Sequence, residues 1–100
     1  MVDTKDRFAI IGEREKMFYK LYIRESCPYC QRAVEFLVKN GIQHTLIIDN
    51  DGGIIKEAKN NYNWPTVPIV IEVDKDQNET LVGGYTDMRK YFKNKGVKNV

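Results

Sequence analysis

Phe18-Tyr19-Lys20-Leu21-Tyr22-Ile23, then Arg24-Glu25-Ser26, then Cys27-Pro28-Tyr29-Cys30 running on to Asn40, is the stretch that decides the fold. Its first six residues are rich in aromatic and β-branched side chains and read as a strand. Pro28 to Asn40 reads as a helix, because Cys30, Ala33, Val34 and Leu37 fall at i, i+3, i+4 and i+7 and form one buried stripe. Pro28 suits the first helical position, and Asn40-Gly41 is a good stop. The two cysteines therefore sit where a strand hands over to a helix.

Working outward, His44 to Ile48 reads as a second strand. Ile54, Ile55, Ala58 and Tyr62 predict a second helix capped by Asp51, with Asn60, Asn61 and Asn63 weakening its far end. Val67 to Val73 is strongly β-branched and predicts a central strand, and Thr80-Leu81-Val82 completes a hairpin after the polar run Asp74 to Glu79. Thr86 is expected to cap a last helix whose inner face is Met88, Tyr91 and Phe92, with Lys93 and Lys95 near its end and Gly96 stopping it. The order β-α-β-α-β-β-α requires a parallel first pair and an antiparallel hairpin, hence an α/β fold with a four-stranded mixed sheet flanked by helices. Residues 1–16 form an N-terminal extension, in which Phe8, Ile10 and Ile11 suit a short helix or added strand; residues 17–100 form the domain.

At 100 residues the chain makes one compact domain, and two cysteines are too few for a disulfide scaffold. Lys+Arg at 16 against Asp+Glu at 14 is too balanced to indicate a nucleic-acid binder. No apolar run has the length of a membrane span, and the charged opening Met1 to Arg7 is unlike a secretory leader, so a reducing cytoplasm is the expected compartment. There, a close pair of cysteines points to redox chemistry or metal binding rather than to a staple.

Cys27 at the start of a helix lies near free backbone N–H groups and the positive end of the dipole, both of which favour a thiolate. Thiols so placed in C-x-x-C motifs titrate at roughly 3.5–7.5. Cys30, one turn further in, faces the core stripe. The expectation is a division of labour in which Cys27 attacks a disulfide and Cys30 resolves the mixed disulfide that forms. Zinc wants four ligands, and Cys27, Cys30 and His44 are the only soft or borderline donors, with His44 read as an edge or surface histidine, so no metal is expected.

Two further segments stand out. In Trp64-Pro65-Thr66-Val67-Pro68, the Val-Pro bond ahead of a β-branched run invites a cis peptide in a tight turn, leaving Val67 to pair with an extended peptide; a plain loop ending a helix has the same letters. Gly83-Gly84-Tyr85-Thr86-Asp87 lets a ligand approach the backbone, and the helix it opens can hold a carboxylate while Asp87 accepts from an ammonium; an ordinary hairpin-to-helix turn also explains it. Arg89, Lys90, Lys93, Lys95 and Lys98 make the last stretch basic, as a solvated helix face or as a docking patch for acidic partners.

CPYC, TVP and the GGY-x-D turn, in this order, resemble the dithiol glutaredoxins of the thioredoxin-fold superfamily over roughly residues 17 to 96. The resemblance implies a thioredoxin-like fold and a monomeric, glutathione-dependent oxidoreductase acting on protein disulfides and glutathione mixed disulfides, with ribonucleotide reductase among its conceivable substrates. It implies that Cys27 is the nucleophile and that Cys30 resolves protein disulfides. Arg24 would support the thiolate and reach the glycine carboxylate of glutathione. Tyr29 would wall the groove; Thr66, Val67 and Pro68 would line it, with Val67 pairing to the cysteinyl backbone; Gly84, Thr86 and Asp87 would hold the γ-glutamyl end. Trp64 and Pro65 stand where the family often has Gln and Arg, so a guanidinium clamp is missing, and either Arg24 carries more of the binding or glutathione binds more weakly. Two alternatives are a donor fed by thioredoxin reductase and a dimer holding a [2Fe–2S] cluster between two copies of Cys27.

Overall fold

The computed structural model describes residues 17–97; the expectations placed on Phe8, Ile10, Ile11 and Lys98 lie outside them. The elements follow as β1 (Phe18–Ile23), α1 (Pro28–Lys39), β2 (His44–Ile48), α2 (Gly53–Tyr62), β3 (Ile69–Val73), β4 (Glu79–Gly83) and α3 (Tyr85–Asn94). The four strands form one sheet in the order β2-β1-β3-β4. β1 pairs parallel with β2 and antiparallel with β3, and β3 pairs antiparallel with β4. This is the α/β thioredoxin-like arrangement expected from the sequence.

Strand alternation sorts the core into two layers. Tyr19, Leu21 and Ile23 of β1 and Val70 of β3 face α1 and α3, where they meet Cys30, Ala33, Phe36, Leu37, Met88 and Phe92. Ile69, Ile71 and Val73 face the other way and pack on Ala58 of α2. Leu21 and Val70 are fully buried opposite each other in the register, and each apolar side chain so buried contributes about 1.5–3 kcal/mol. At the end of the sheet where β1 starts, the Tyr19 hydroxyl donates to Glu72 at 2.8 Å, the Tyr91 hydroxyl donates to the same carboxylate oxygen, and Lys95 approaches it at 3.6 Å.

Several boundaries differ from expectation for local reasons. The cap of α2 is not Asp51 but Gly52, in the left-handed region at φ 92, and Asp49 supplies the carboxylate that Ile55 N–H meets at 2.9 Å. α3 is capped at Gly84 rather than Thr86, because Asp87 reaches back to accept from Gly84 N–H at 3.1 Å. β3 begins at Ile69, since Thr66-Val67-Pro68 is a turn and Pro68 has no N–H for a ladder. Asn60 and Asn61 remain helical, and α2 ends at Tyr62 with Asn63 in the left-handed conformation at φ 53. Phe36 joins the buried stripe of α1.

Candidate functional site

Parallel pairing brings the C-terminal ends of β1 and β2 to the same end of the sheet, and the loops leaving them build the site. Residues 24–27 are fastened from two sides. Glu25 N–H donates to Asn50 Oδ1 at 3.0 Å while Asn50 Nδ2 donates to Glu25 Oε1 at 2.8 Å, and Gln31 Nε2 donates to the Glu25 carbonyl at 3.0 Å. Cys27 N–H closes a turn onto the Arg24 carbonyl at 3.3 Å. Cys27 is then the N-cap of α1, extended at φ −95 and ψ 113, with Pro28 opening the helix.

The cap makes the two sulfurs unequal. Cys30 N–H donates to Cys27 Sγ at 3.2 Å, so a helix N-terminus stabilises negative charge as it develops on that sulfur. Cys30 is fully buried. Its thiol is pushed up to about 12 from an ordinary 9.0, first by desolvation and then by its contact with Cys27, with Arg24 acting in the opposite sense. Both cysteines are free thiols.

Across from Cys27 lies the turn with the cis Val67–Pro68 peptide, and the Cys27 thiol faces the Val67 carbonyl at 4.0 Å. Beyond it opens a groove of about 310 Å³. Of the residues singled out from the sequence, Tyr29, Thr66, Val67, Pro68, Gly84, Thr86 and Asp87 all line it. Next to its Gly84, Gly83 tolerates no added side chain, since φ is +126 and a Cβ would stand 2.7 Å from Asp87 Cβ. Trp64 also lines the groove; its indole Nε1 is buried without a partner near Gly84.

Arg24 stands apart from the groove. Its guanidinium lies against Gly52, where a Cβ would meet Nη2 at 3.0 Å, and its Nε is buried without a partner. It borders a different cavity of about 380 Å³ on the far side of Cys30. From there its charge bears on the Cys30 thiol and on Asp49. Hydrogen bonds from the start of α2, Ile55 N–H foremost, hold the Asp49 carboxyl below the usual carboxylate range.

For three contributors the sequence suggests no role of their own. Tyr85 lines the groove and packs on Tyr29 with ring centroids 5.9 Å apart. Asn50 fastens the cysteine loop, and Asp49 fixes the loop that carries Gly52. Their position is the one available hint: Asp49 and Asn50 directly follow a strand parallel to the one that precedes Cys27. His44 sits on the edge strand β2 with Nδ1 2.7 Å from the Ile42 carbonyl. Among the described residues, no three His, Cys, Asp or Glu side chains gather as metal ligands.

The arrangement presents one approachable sulfur on a helix N-terminus, a second sulfur behind it, and an open groove beside both, which is a geometry for thiol–disulfide exchange. No curated protein matches this chain in a sequence search. The Glutaredoxin family model matches residues 19–77. That span carries β1 from its second residue on, both cysteines, the loop held by Asn50 and the Val67–Pro68 turn, while the Gly84–Asp87 side of the groove lies beyond it. With more than half its length matched and its paired sulfurs set out in this way, the chain belongs to the glutaredoxin family of thiol–disulfide oxidoreductases.

Proposed function

We propose that this protein is a glutathione-dependent oxidoreductase that reduces protein disulfides and glutathione mixed disulfides. The observation that carries the reading is the asymmetry of the sulfurs: Cys27 accepts an amide N–H at the start of α1, and Cys30 is buried and held protonated behind it.

Cys27 Sγ attacks the glutathionyl sulfur of a mixed disulfide. The old S–S bond breaks, the partner leaves as a thiolate that takes up a proton, and glutathione stays on Cys27. A second glutathione thiolate then attacks the glutathione sulfur, releasing Cys27 and oxidised glutathione. With a protein disulfide, the first attack joins Cys27 to the protein. Cys30 then loses its proton and attacks Cys27 Sγ, leaving a Cys27–Cys30 disulfide and a reduced protein. Two glutathiones return that disulfide to thiols.

Glutathione has two carboxylates and one amine. In the groove the Val67 backbone would pair with the cysteinyl residue, Tyr29 and Thr66 would be walls with Pro68 beneath, and Gly84, Thr86 and Asp87 at the start of α3 would take the carboxylate and the amine of the γ-glutamyl end. Asp87 already accepts from Gly84 N–H through Oδ2, which leaves its other oxygen for an ammonium. Arg24 acts by charge on the Cys30 thiol. A reducing cytoplasm, where thiols stay free, suits the cycle.

The test is a coupled assay on a glutathionylated substrate with the electron source varied. Turnover with glutathione and glutathione reductase is expected. Turnover with thioredoxin reductase and none with glutathione would contradict the reading.

A further inference from the structure

Beside the groove, α1 and α3 meet in a continuous line of aromatic and cationic side chains. Arg32 lies over the Tyr29 ring at 5.3 Å, and Tyr29 packs on Tyr85 at 5.9 Å. Arg89 Nη1 donates to the Tyr85 hydroxyl at 3.0 Å, and its guanidinium lies 5.7 Å from the Tyr85 ring and 6.0 Å from the Phe36 ring. Rings that hold guanidinium groups in place reduce the entropy lost when an anion binds them. Lys90 and Lys93 continue the line along a depression of about 280 Å³. Tyr85 and Thr86 border both this depression and the groove, so the two are contiguous.

Within α3 itself the charge is one-sided, with Arg89, Lys90 and Lys93 against one acid. Asp87 is the single acid of α3, and one of its oxygens is engaged by Gly84 N–H. The acids Glu25 and Glu35 border the cavity on the other side of α1. Lys95 belongs elsewhere, paired with Glu72 at 3.6 Å, so the basic run read from the sequence divides, and among its described residues Arg89, Lys90 and Lys93 border the depression next to the groove.

We propose that the ridge whose docking cations are Arg32, Lys90 and Lys93 docks an acidic segment next to the disulfide of a protein substrate, an inference that rests on the thiol–disulfide activity proposed above. The ridge is long enough to hold such a segment. Tyr85 and Lys93 both lie within α3, about 12 Å apart at the helical rise, which matches about four residues of extended peptide. A peptide whose cysteine meets Cys27 passes along the groove and onto these cations, which steer its approach as well as hold it.

The test uses two labelled peptides of equal length, each with a glutathionylated cysteine, flanked in one by Asp and Glu and in the other by Lys. Fluorescence anisotropy on the Cys27→Ser protein reads binding without exchange. At low salt the acidic peptide is expected to bind about tenfold tighter than the basic one, with the gap closing at high salt. Lys90→Glu/Lys93→Glu should reverse the preference, and Lys90→Gln/Lys93→Gln should weaken acidic-peptide binding about threefold. Equal affinity for the two peptides at low salt, or a preference unmoved by charge reversal, would overturn the docking ridge. Glutathione-driven turnover of a small uncharged disulfide by the protein with both cysteines intact reads the activity separately. It should be the same in Lys90→Glu/Lys93→Glu, and its absence from the unmutated protein would count against the proposed function rather than against the ridge.

Discussion

The backbone N–H of Cys30 points at the sulfur of Cys27 from 3.2 Å, while the Cys30 side chain is fully buried. One residue thus prepares its neighbour's sulfur for attack and keeps its own in reserve. The roles separate on mutation. Cys27→Ser should bring glutathione-dependent reduction down to the uncatalysed rate. Cys30→Ser should keep most activity on glutathionylated substrates and lose it on protein disulfides that need a dithiol. Steady-state rates on both substrate classes check this, and equal loss in the two variants would deny the division.

Glu72 ties the start of β1 to the end of α3. Desolvation is individually the largest influence on its carboxyl and pushes it up, but hydrogen bonds from Tyr91 and Tyr19, together with Lys95, outweigh it and hold the group below the ordinary 4.5. The unfolded chain therefore binds a proton at a pH where the folded protein does not, so stability from this group is present above about 4.5 and is lost as the pH falls below it. Glu72→Gln should cost about 1–3 kcal/mol at neutral pH and flatten the acid limb of a denaturation series; an unchanged acid limb would remove Glu72 from the account.

Gly83 and Asp87 are locked together. A Cβ at position 83 would lie 2.8 Å from Asp87 Oδ2, and φ is +126. Gly83→Ala should destabilise the fold by about 1–3 kcal/mol and raise the KM for glutathione by moving the carboxylate. Asp87→Ala loses the cap, at about 1 kcal/mol, and should raise the same KM. Thermal denaturation and glutathione titration measure the two effects independently.

Asn50 holds the cysteine loop through two hydrogen bonds with Glu25. Asn50→Ala should lower kcat/KM by about tenfold through a less ordered Cys27 loop while costing about 1 kcal/mol or less of stability, since the pair is exposed. Glu25→Gln keeps an acceptor at the same reach and should restore none of the loss in Asn50→Ala. Amide exchange at residues 25–27 reports the loosening directly.

Much of this is legible in the residues. The aromatic and β-branched run at 18–23, the run at 44–48 and the helical period of α1 mark the elements, and the cysteines, the Thr66–Pro68 turn and the Gly84–Asp87 turn each fall on the side of the structure that forms the groove. Helix starts read wrongly where capping is not done by the nearest polar residue. Asp49 meets the start of α2 from just past the end of β2, and Asp87 caps α3 from within the helix, and both reach across bends that only the folded backbone makes. Arg24, expected in the groove, lies beside Gly52, because the side to which a loop residue turns depends on what the neighbouring loop leaves open. Tyr85 escapes a linear reading because its role comes from Tyr29, distant in the chain and stacked on it in space.

Alkylation of the two thiols, resolved by mass spectrometry across a pH series, tests the central claim most directly. At neutral pH iodoacetamide should mark Cys27 and leave Cys30 unmarked in the folded protein, with Cys30 labelling emerging only well above 9.0, towards the value of about 12 to which burial pushes its thiol. The same raised thiol makes the fold lose stability as the pH climbs from 9.0 towards 12. Two cysteines that label at one common rate, matching free cysteine, would contradict the account.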